Sequence, residues 1–154
     1  MSEKEFDLDD FLGYIMGTTF LSLQNLFQKK IAEAEIGITV EQAKVINLLK
    51  HRPGSNQMQL AQALRKDKPA ITRLLESLEK QYLVLRKEDE IDRRNKRIFL
   101  TDDGDQKHAE MAPIREEFFA LIQTALDEQE LEEVKRILKK LRSKLMEEHE
   151  KYQG

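Results

Sequence analysis

The chain has 154 residues, a formal net charge of −3 and no cysteine. Its length suits one domain with a core large enough to fold without disulfides or metals. The lack of cysteine excludes structural disulfides, thiolate metal sites and peroxide sensing through a reactive thiol. The chain has no apolar run of about 18 residues, and it starts with the acidic stretch MSEKEFDLDD. These features predict a cytoplasmic protein without a membrane segment.

The charge is distributed unevenly along the chain. Residues 50–100 contain 13 Lys and Arg against 7 Asp and Glu, whereas the other residues contain 13 basic against 22 acidic side chains. Because charges are screened over roughly 8–10 Å at physiological salt, distant acidic residues do not cancel a local basic patch. An acidic protein can therefore present a cationic surface to a polyanion.

The N-terminal third of the sequence predicts two helices. Apolar residues from Leu8 to Ile31 recur with a period close to 3.6 residues, which predicts a long first helix. Gly37 interrupts this pattern, and Thr39 with Gln42 forms a capping-box sequence that begins a second helix. The Pro-Gly pair at 53–54 ends the second helix.

Residues 55–83 predict two short helices joined by a tight turn. Asn56 and Gln59 form another capping-box sequence, and Pro69 suits the first turn of the following helix. The apolar face of that helix consists of Ile71, Leu74, Leu75, Leu78 and Tyr82. The segments LVLRKED and KRIFLT then predict two β-strands on either side of a charged loop. Two helices followed by two strands indicate a winged helix.

The C-terminal third predicts further helices. One starts at Thr101 and kinks or ends near Pro113. Asp127 and Glu130 form a third capping-box sequence. The apolar residues that follow are spaced three and four apart, as in a short coiled coil: Leu131, Val134, Leu138, Leu141 and Leu145. The predicted fold class is mainly α with a small β-hairpin wing, a winged helix-turn-helix whose N- and C-terminal helices form a dimerisation region.

The side of the second short helix that faces away from its apolar residues is polar. Lys68, Thr72, Arg73 and Ser77 lie on that side. They can face DNA, because a major groove about 12 Å wide admits one helix and presents base edges to arginine and threonine. A solvated charged face is the open alternative.

The loop in DRRNKRIFLT also allows two interpretations. Alternation from Arg97 onward predicts a half-buried strand, so the loop before it is exposed. Arg93, Arg94 and Lys96 either reach phosphates or a narrow minor groove, or protect a hairpin edge against aggregation. Asp92 favours the first interpretation, because a carboxylate among arginines is expected where it fixes one guanidinium through a directional ion pair.

Three segments in this order and spacing resemble the DNA-binding core of the MarR family, the multiple antibiotic resistance regulators. They are TVEQAKVINLL, QLAQALRKDKPAITRLLESLEKQYLV and a wing with the pattern D-x-R that ends in LTxxG, over residues 38–104. The resemblance implies that Arg94 enters the minor groove with Asp92 as its orienting partner. It also implies that the base-reading end of the recognition helix consists of Lys68, Pro69, Thr72 and Arg73.

The resemblance further implies a homodimer that binds a pseudo-palindromic operator in double-stranded DNA. Family members commonly repress transcription and release DNA when a small aromatic or amphipathic ligand binds between the dimerisation and DNA-binding regions. We therefore expect one integrated domain over residues 1–154. Its winged core spans 38–104, and its helical dimerisation region spans 6–34 and 105–150.

Three positions depart from the family pattern. Tyr82 and Arg65 stand where the family often has glycine, so a backbone with positive φ at either position costs about 1 kcal/mol. Pro69 lacks the hydroxyl and the N–H that a serine at that position offers to a phosphate.

No pattern in the sequence indicates an enzyme, a cofactor or a metal site. His51, His108 and His149 are far apart, and the chain has neither a Gly-rich phosphate loop nor a nucleophile elbow. A zinc-sensing variant requires ligands that only the fold brings together. The open alternative to a DNA-binding regulator is a winged-helix adapter for other proteins, or a ligand-binding module, without specific DNA binding.

Aromatic residues near both ends of the chain are candidates for a ligand pocket. They are Tyr14, Phe20, Phe118 and Phe119. Aromatic residues at helical spacing also form ordinary hydrophobic core, so the sequence leaves both roles open.

Overall fold

The computed structural model describes residues 8–152. Residues 1–7 lie outside the described residues. They include most of the acidic N-terminal stretch and the first two residues of the predicted dimerisation range 6–34. A 3₁₀ turn, Leu8–Asp10, comes before the regular elements, which follow in the order α1 (Leu12–Glu33), α2 (Val40–His51), β1 (Ser55–Asn56), α3 (Gln57–Leu64), α4 (Lys68–Lys80), β2 (Val84–Glu88), β3 (Lys96–Leu100), α5 (Asp102–Glu110), α6 (Ala112–Ala125) and α7 (Glu128–Lys151).

The helix starts of the winged helix follow their capping sequences. The Thr39 hydroxyl accepts the N–H of Gln42 at 3.2 Å, and the Gln42 side chain accepts the N–H of Thr39 at 2.9 Å. Asn56 and Gln59 form the same reciprocal pair at the start of α3. Each box satisfies backbone donors that a helix N-terminus leaves without partners. The capping boxes predicted for α2 and α3 are confirmed.

The wing is a three-stranded antiparallel sheet with the strand order β1-β3-β2. Val84 pairs with Leu100 and Glu88 with Lys96 in the predicted hairpin. The third strand, β1, was not predicted; Ser55 pairs with Ile98 and leads directly into α3. This extra pairing connects the helix-turn-helix to the wing through backbone hydrogen bonds.

The hydrophobic core lies within the winged helix and its immediate neighbours. Its fully buried side chains come from four helices, one strand and the residue after α5: Ile31, Val45, Ile46, Leu49, Leu60, Ile71, Leu75, Leu78, Ile98 and Met111. Burying a leucine or isoleucine contributes about 1.5–3 kcal/mol relative to leaving it in water. The α4 face of Ile71, Leu75 and Leu78 therefore fixes which side of that helix remains for function.

The junction between the wing and α5 requires a glycine. The Thr101 hydroxyl donates to the Tyr82 carbonyl at 2.6 Å and accepts the N–H of Gly104 at 3.0 Å, which caps α5. A Cβ on Gly104 would lie 2.0 Å from the carbonyl oxygen of Leu83. The threonine and glycine of the LTxxG pattern are thus needed for the close approach of α5 to the end of the turn after α4.

Two non-glycine residues in the winged helix adopt a left-handed backbone. Arg65, between α3 and α4, has φ 54°, and Tyr82, after α4, has φ 57°. Both are the positions where the sequence departs from the family glycines, so both turns carry the predicted strain of about 1 kcal/mol. The prediction that Tyr82 lies on the apolar face of α4 was wrong, because α4 ends at Lys80 and the Tyr82 side chain is 77% exposed.

The helices outside the winged helix bury little of their apolar surface. Ile31 is the one buried residue that the structure describes in α1, and α7 has none among its described residues. Pro113 lies in the first turn of α6, after α5 has ended at Glu110, and the capping box of Asp127 and Glu130 begins α7. The chain folds as two compact units, the first ending at Ile114 and the second beginning at Arg115. A single integrated domain stays a prediction.

Candidate nucleic-acid interface

Helix α4 presents a polar face to solvent. Asp67 caps it by accepting the N–H of Ala70 at 2.7 Å, and Pro69 occupies the first turn, where a missing N–H costs nothing. The core side of the helix is fixed by its buried leucines and isoleucine. The exposed side consists of Lys68, Pro69, Arg73, Glu76 and Lys80.

Two of the predicted DNA-contacting residues of α4 are held by other side chains. The Thr72 hydroxyl donates to the Lys68 carbonyl at 2.9 Å and accepts a hydrogen bond from the Gln57 amide of α3. The Ser77 hydroxyl accepts from the buried Gln42 amide at 2.9 Å. Thr72 therefore lies at the edge of the exposed face in a fixed orientation. Ser77 is half-buried beside Arg73, and its hydroxyl is engaged by α2; its contact with DNA stays a prediction.

The tip of the wing is organised by the buried carboxylate of Asp89. Its Oδ1 accepts the N–H of Ile91 at 2.8 Å and that of Asp92 at 3.2 Å, and its Oδ2 pairs with the Arg97 guanidinium. The Ile91 N–H, the Arg97 side chain and the Asp92 N–H, in that order of effect, hold the pKa of Asp89 below its usual range. Asp89 is therefore ionised at neutral pH and can hold the tip residues in place.

Asp92 orients Arg94 through the main chain. Its Oδ1 accepts the backbone N–H of Arg94 at 3.0 Å, and its carbonyl accepts the N–H of Asn95 at 2.8 Å. The predicted ion pair from Asp92 to a guanidinium does not form among the described residues, because the carboxylate closes a tight Asx turn instead. The side chains of Arg93, Arg94 and Lys96 are exposed on this turn.

A groove of about 540 Å³ lies between α3, the start of α4 and the wing. It brings together predicted residues from two separate sequence segments, and it is lined by Gln57, Met58, Ala61, Lys68, Arg86, Arg94, Asn95, Lys96 and Ile98. Arg86 is held by Glu79 of α4 through an ion pair of 2.9 Å. The lining contains four cationic side chains and no carboxylate. We call this groove the wing groove.

A second groove, of about 310 Å³, lies on the other side of α4 beside the start of α2. Lys66 and Arg73 line it together with Glu41. Glu41 is paired with Lys66 and Lys44, each at 2.6 Å. Burial raises the pKa of Glu41, but the hydrogen bonds and charges of the two lysines outweigh the burial and lower it. Cationic side chains therefore flank the exposed face of α4 on both sides.

The chain is similar in sequence and fold to known transcriptional regulators. A sequence model of the MarR family matches residues 36–95. S. aureus MepR, solved in complex with DNA, has 27% identity and a TM-score of 0.79, and the match covers 89% of this chain and 98% of MepR. A MarR transcriptional regulator from Methanosarcina mazei Go1 has 27% identity and a TM-score of 0.78, covering 90% and 98%. CouR, a transcriptional repressor solved with a 23-mer DNA duplex, supports the fold at 24% identity, a TM-score of 0.81 and coverage of 92% and 99%. The winged-helix core of the chain is therefore similar to that of the MarR family. The match to the MarR-family model covers α2, both helices of the helix-turn-helix and the wing up to Asn95.

The four predicted pocket residues do not line either groove. Tyr14 and Phe20 lie on α1, and Phe20 is 57% exposed with the Lys44 ammonium 5.5 Å from its ring centroid. Phe118 and Phe119 lie on α6, where Phe118 is half-buried and Phe119 exposed. Their role in ligand binding stays a prediction.

Two of the three histidines come close together in the fold. The ring centroids of His51 and His108 are 6.2 Å apart, and the Nε2 of His108 lies 3.3 Å from the side-chain oxygen of Asn47. Among residues 8–152, no group of three or more histidine or acidic side chains is placed to hold a metal ion. No helix in the same range is long and apolar enough to cross a membrane.

The site also contains residues that the sequence did not indicate. Gln57 fixes Thr72, Arg86 lines the wing groove, and Asp89 organises the wing tip. Each acts through a contact between different elements, which periodicity along one element cannot reveal. Only Asp89 had a local indication, an acidic residue before a loop of turn-forming residues.

Proposed function

We propose that the chain is a sequence-specific DNA-binding transcriptional repressor that acts as a homodimer on a pseudo-palindromic operator and is released by a small-molecule ligand. The observation that carries the DNA-binding part is the wing groove. It places four cationic side chains, and no carboxylate, directly beside the exposed face of α4. The match of the MarR-family model to residues 36–95 and the likeness to MepR, which was solved in complex with DNA, support the same role.

The grooves beside α4 have the arrangement that duplex DNA requires. A helix in the major groove is bordered by two phosphate backbones, and cations on either side of it neutralise them. In this proposal Lys68, Arg86 and Lys96 contact the phosphates on the wing side. Lys66 contacts those on the other side, next to Arg73.

The exposed residues at the start of α4 are proposed to contact base edges. Arg73 suits guanine, which offers two acceptors in the major groove, and the ring of Pro69 suits the methyl group of thymine. Thr72 is already oriented by Gln57, so it enters the groove at a small entropic cost.

The wing is proposed to enter the adjacent minor groove. Arg94 projects from a turn that Asp92 and Asp89 fix through backbone hydrogen bonds, with Arg93 beside it. A guanidinium held in this way is preorganised for a narrow minor groove, where the negative potential favours arginine. The proposed role of Asp92 is thus to orient the main chain of Arg94.

The homodimer is proposed from the apolar faces of the terminal helices. Phe11, Leu12 and Phe20 are more than half exposed on or next to α1, and Leu138 and Leu145 are exposed on α7. Apolar surface of this extent is characteristic of a protein interface. A symmetric pair of recognition helices would meet half-sites about 34 Å apart on DNA.

Ligand release is proposed from the family resemblance, with Tyr14, Phe20, Phe118 and Phe119 as the aromatic contacts. A small aromatic or amphipathic molecule releases DNA only if it binds one dimer geometry more tightly than the DNA-bound one. The proposed role is non-enzymatic, needs no cofactor or metal, and is exercised in the cytoplasm.

Selection of bound sequences from a random duplex library by the purified protein tests this proposal. Affinities for the selected duplex and a scrambled duplex are then measured at several salt concentrations. We expect a pseudo-palindrome, an affinity at least roughly a thousandfold above the scrambled control and a steep salt dependence. Weak binding that is indifferent to sequence would reject the proposal and favour the adapter or ligand-binding alternative.

A further inference from the structure

The exposed face of α4 contains one carboxylate, that of Glu76. Glu76 follows Arg73 by three residues and precedes Lys80 by four, so the three side chains lie along one side of the helix. The helix rise puts Glu76 about 4.5 Å further along the axis than Arg73, slightly more than the spacing between two base pairs. Glu76 therefore lies among the side chains that are proposed to face DNA.

Glu76 has no ion-pair partner among the described residues, although Arg73 and Lys80 are within reach along the helix. Three other carboxylates lie close to this face, and each has a partner. Asp67 accepts the N–H of Ala70 at 2.7 Å. Glu79 pairs with Arg86 at 2.9 Å, and Glu41 pairs with Lys66 at 2.6 Å. The free carboxylate is thus a distinct feature of a surface whose other acidic groups are compensated.

We propose that Glu76 is a specificity-determining residue that accepts a hydrogen bond from the amino group of a cytosine in the major groove. This inference rests on the proposed DNA-binding function and adds a base-reading residue to it.

The chemistry of the carboxylate supports this assignment. An ionised carboxylate only accepts hydrogen bonds, and phosphates repel it, so it lowers affinity for DNA in general. In the major groove, cytosine and adenine present amino donors, whereas guanine and thymine present acceptors at the corresponding edges. A carboxylate on this face therefore favours the bases that offer a donor, and cytosine N4 is the donor that Glu most often contacts.

The neighbouring Arg73 makes the pair more selective. A guanidinium prefers guanine, which presents two acceptors, and the carboxylate prefers cytosine. Because the two side chains are separated by about 4.5 Å along the helix axis, they can address adjacent base pairs. Together, the two side chains predict two adjacent base pairs in each half-site, one with a guanine that Arg73 contacts and one with a cytosine that Glu76 contacts.

The test compares wild-type protein with Glu76→Gln, Glu76→Ala and the control Glu90→Gln. Glu90 is exposed in the wing loop, so its substitution removes the same charge near DNA without changing α4. The sequence selection is repeated with each purified variant. Affinities are then measured for duplexes that carry single base-pair changes in one half-site, at one fixed salt concentration, after a thermal melt has confirmed folding.

We expect the wild-type protein to prefer cytosine at one position of each half-site. Glu76→Ala should reduce the discrimination at that position by roughly tenfold, the contribution of one good base contact. Glu76→Gln should move the preference from cytosine towards adenine, because an amide can both donate to N7 and accept from the N6 amino group. Glu90→Gln should strengthen binding to all duplexes equally and leave the preferences unchanged.

Two results would overturn the inference in distinguishable ways. If the wild-type protein selects a sequence and both Glu76 variants keep its preferences while behaving like Glu90→Gln, Glu76 acts only through its charge and the inference alone fails. If the wild-type protein selects no sequence, the proposed DNA-binding function fails, and the role of Glu76 fails with it.

Discussion

The winged helix and the terminal helices use their apolar residues differently. In the winged helix, Ile46, Leu60 and Leu75 are fully buried by other parts of the same chain. On α1 and α7, side chains of the same type, such as Leu12 and Leu145, are each 57% exposed. The sequence periodicity is equally clear in both regions, so periodicity alone does not show whether an apolar face finds its partner within the chain.

This difference indicates which part of the fold is complete in one chain. A buried leucine contributes about 1.5–3 kcal/mol, so the winged helix has its own source of stability. The exposed faces of the terminal helices gain this contribution only when another apolar surface covers them. The proposed homodimer supplies that surface from a second copy.

Leu138→Glu should have the largest effect, because each chain would place a charge in the apolar seam of α7. Burying an ionised group without a partner costs several kcal/mol, so the dimer dissociation constant should rise by roughly a thousandfold, or about 4 kcal/mol. Sedimentation at micromolar concentration measures this as a change from dimer to monomer. Lys140→Glu introduces the same residue on the opposite side of α7 and should leave the dimer intact; equal dissociation in both variants would contradict the proposed seam.

Gly104→Ala and Gly17→Ala compare the same substitution in the two regions. The added Cβ at Gly104 would lie 2.0 Å from the Leu83 carbonyl oxygen, whereas no atom lies within 4 Å of the corresponding position at Gly17 in α1. Gly104→Ala should lower the free energy of unfolding by about 3 kcal/mol, and Gly17→Ala should raise it by up to about 1 kcal/mol. Urea unfolding followed by circular dichroism measures both. Similar effects at the two positions would show that the junction is less tightly packed than described.

Arg94→Ala should weaken operator binding by about 2 kcal/mol, or roughly thirtyfold, because it removes the proposed minor-groove arginine. The dependence of the affinity on salt should also become less steep, since fewer counterions are released on binding. Fluorescence anisotropy with the selected duplex at several salt concentrations measures both quantities. The control Arg142→Ala removes an exposed arginine from α7; an affinity unchanged by Arg94→Ala would remove the wing from the proposed interface.

Tyr82→Gly should have the smallest effect, and it should stabilise the protein. Tyr82 has φ 57° and a side chain that is 77% exposed, so glycine relieves the strained backbone and little packing is lost. The free energy of unfolding should rise by up to about 1 kcal/mol. Lys80→Gly, two residues earlier in the last turn of α4, should lower it by a similar amount. A loss of stability in both variants would mean that the Tyr82 ring makes a contribution larger than the strain.

The features that were predictable from sequence are those determined by neighbours in the chain. The capping boxes at Thr39, Asn56 and Asp127 all form, since each needs only residues three positions apart. Pro113 separates two helices for an equally local reason, its missing N–H. The left-handed backbone at Arg65 was also anticipated, from the resemblance to a family that often has glycine there.

The features that were missed depend on contacts between elements. Strand β1 has two residues, too few for any periodicity to be visible, and it exists because β3 pairs with it. The hydrogen bond from Gln42 of α2 to the Ser77 hydroxyl was not predicted, because it joins two different helices. Asp92 was predicted to form an ion pair with a guanidinium, whereas its carboxylate accepts the backbone N–H of Arg94, two residues later. In each case a residue type allowed several partners, and the tertiary fold selected one.

The most direct test of the account is the mass of the complex on DNA. Sedimentation would compare a duplex that carries the full selected sequence with a duplex in which one half-site is scrambled. We expect two chains on the full duplex, and a large loss of affinity when either half-site is removed, because one dimer must engage both. A single chain bound to the full duplex, with the same affinity for the half-scrambled one, would contradict the proposal that the exposed faces of α1 and α7 hold two winged helices together.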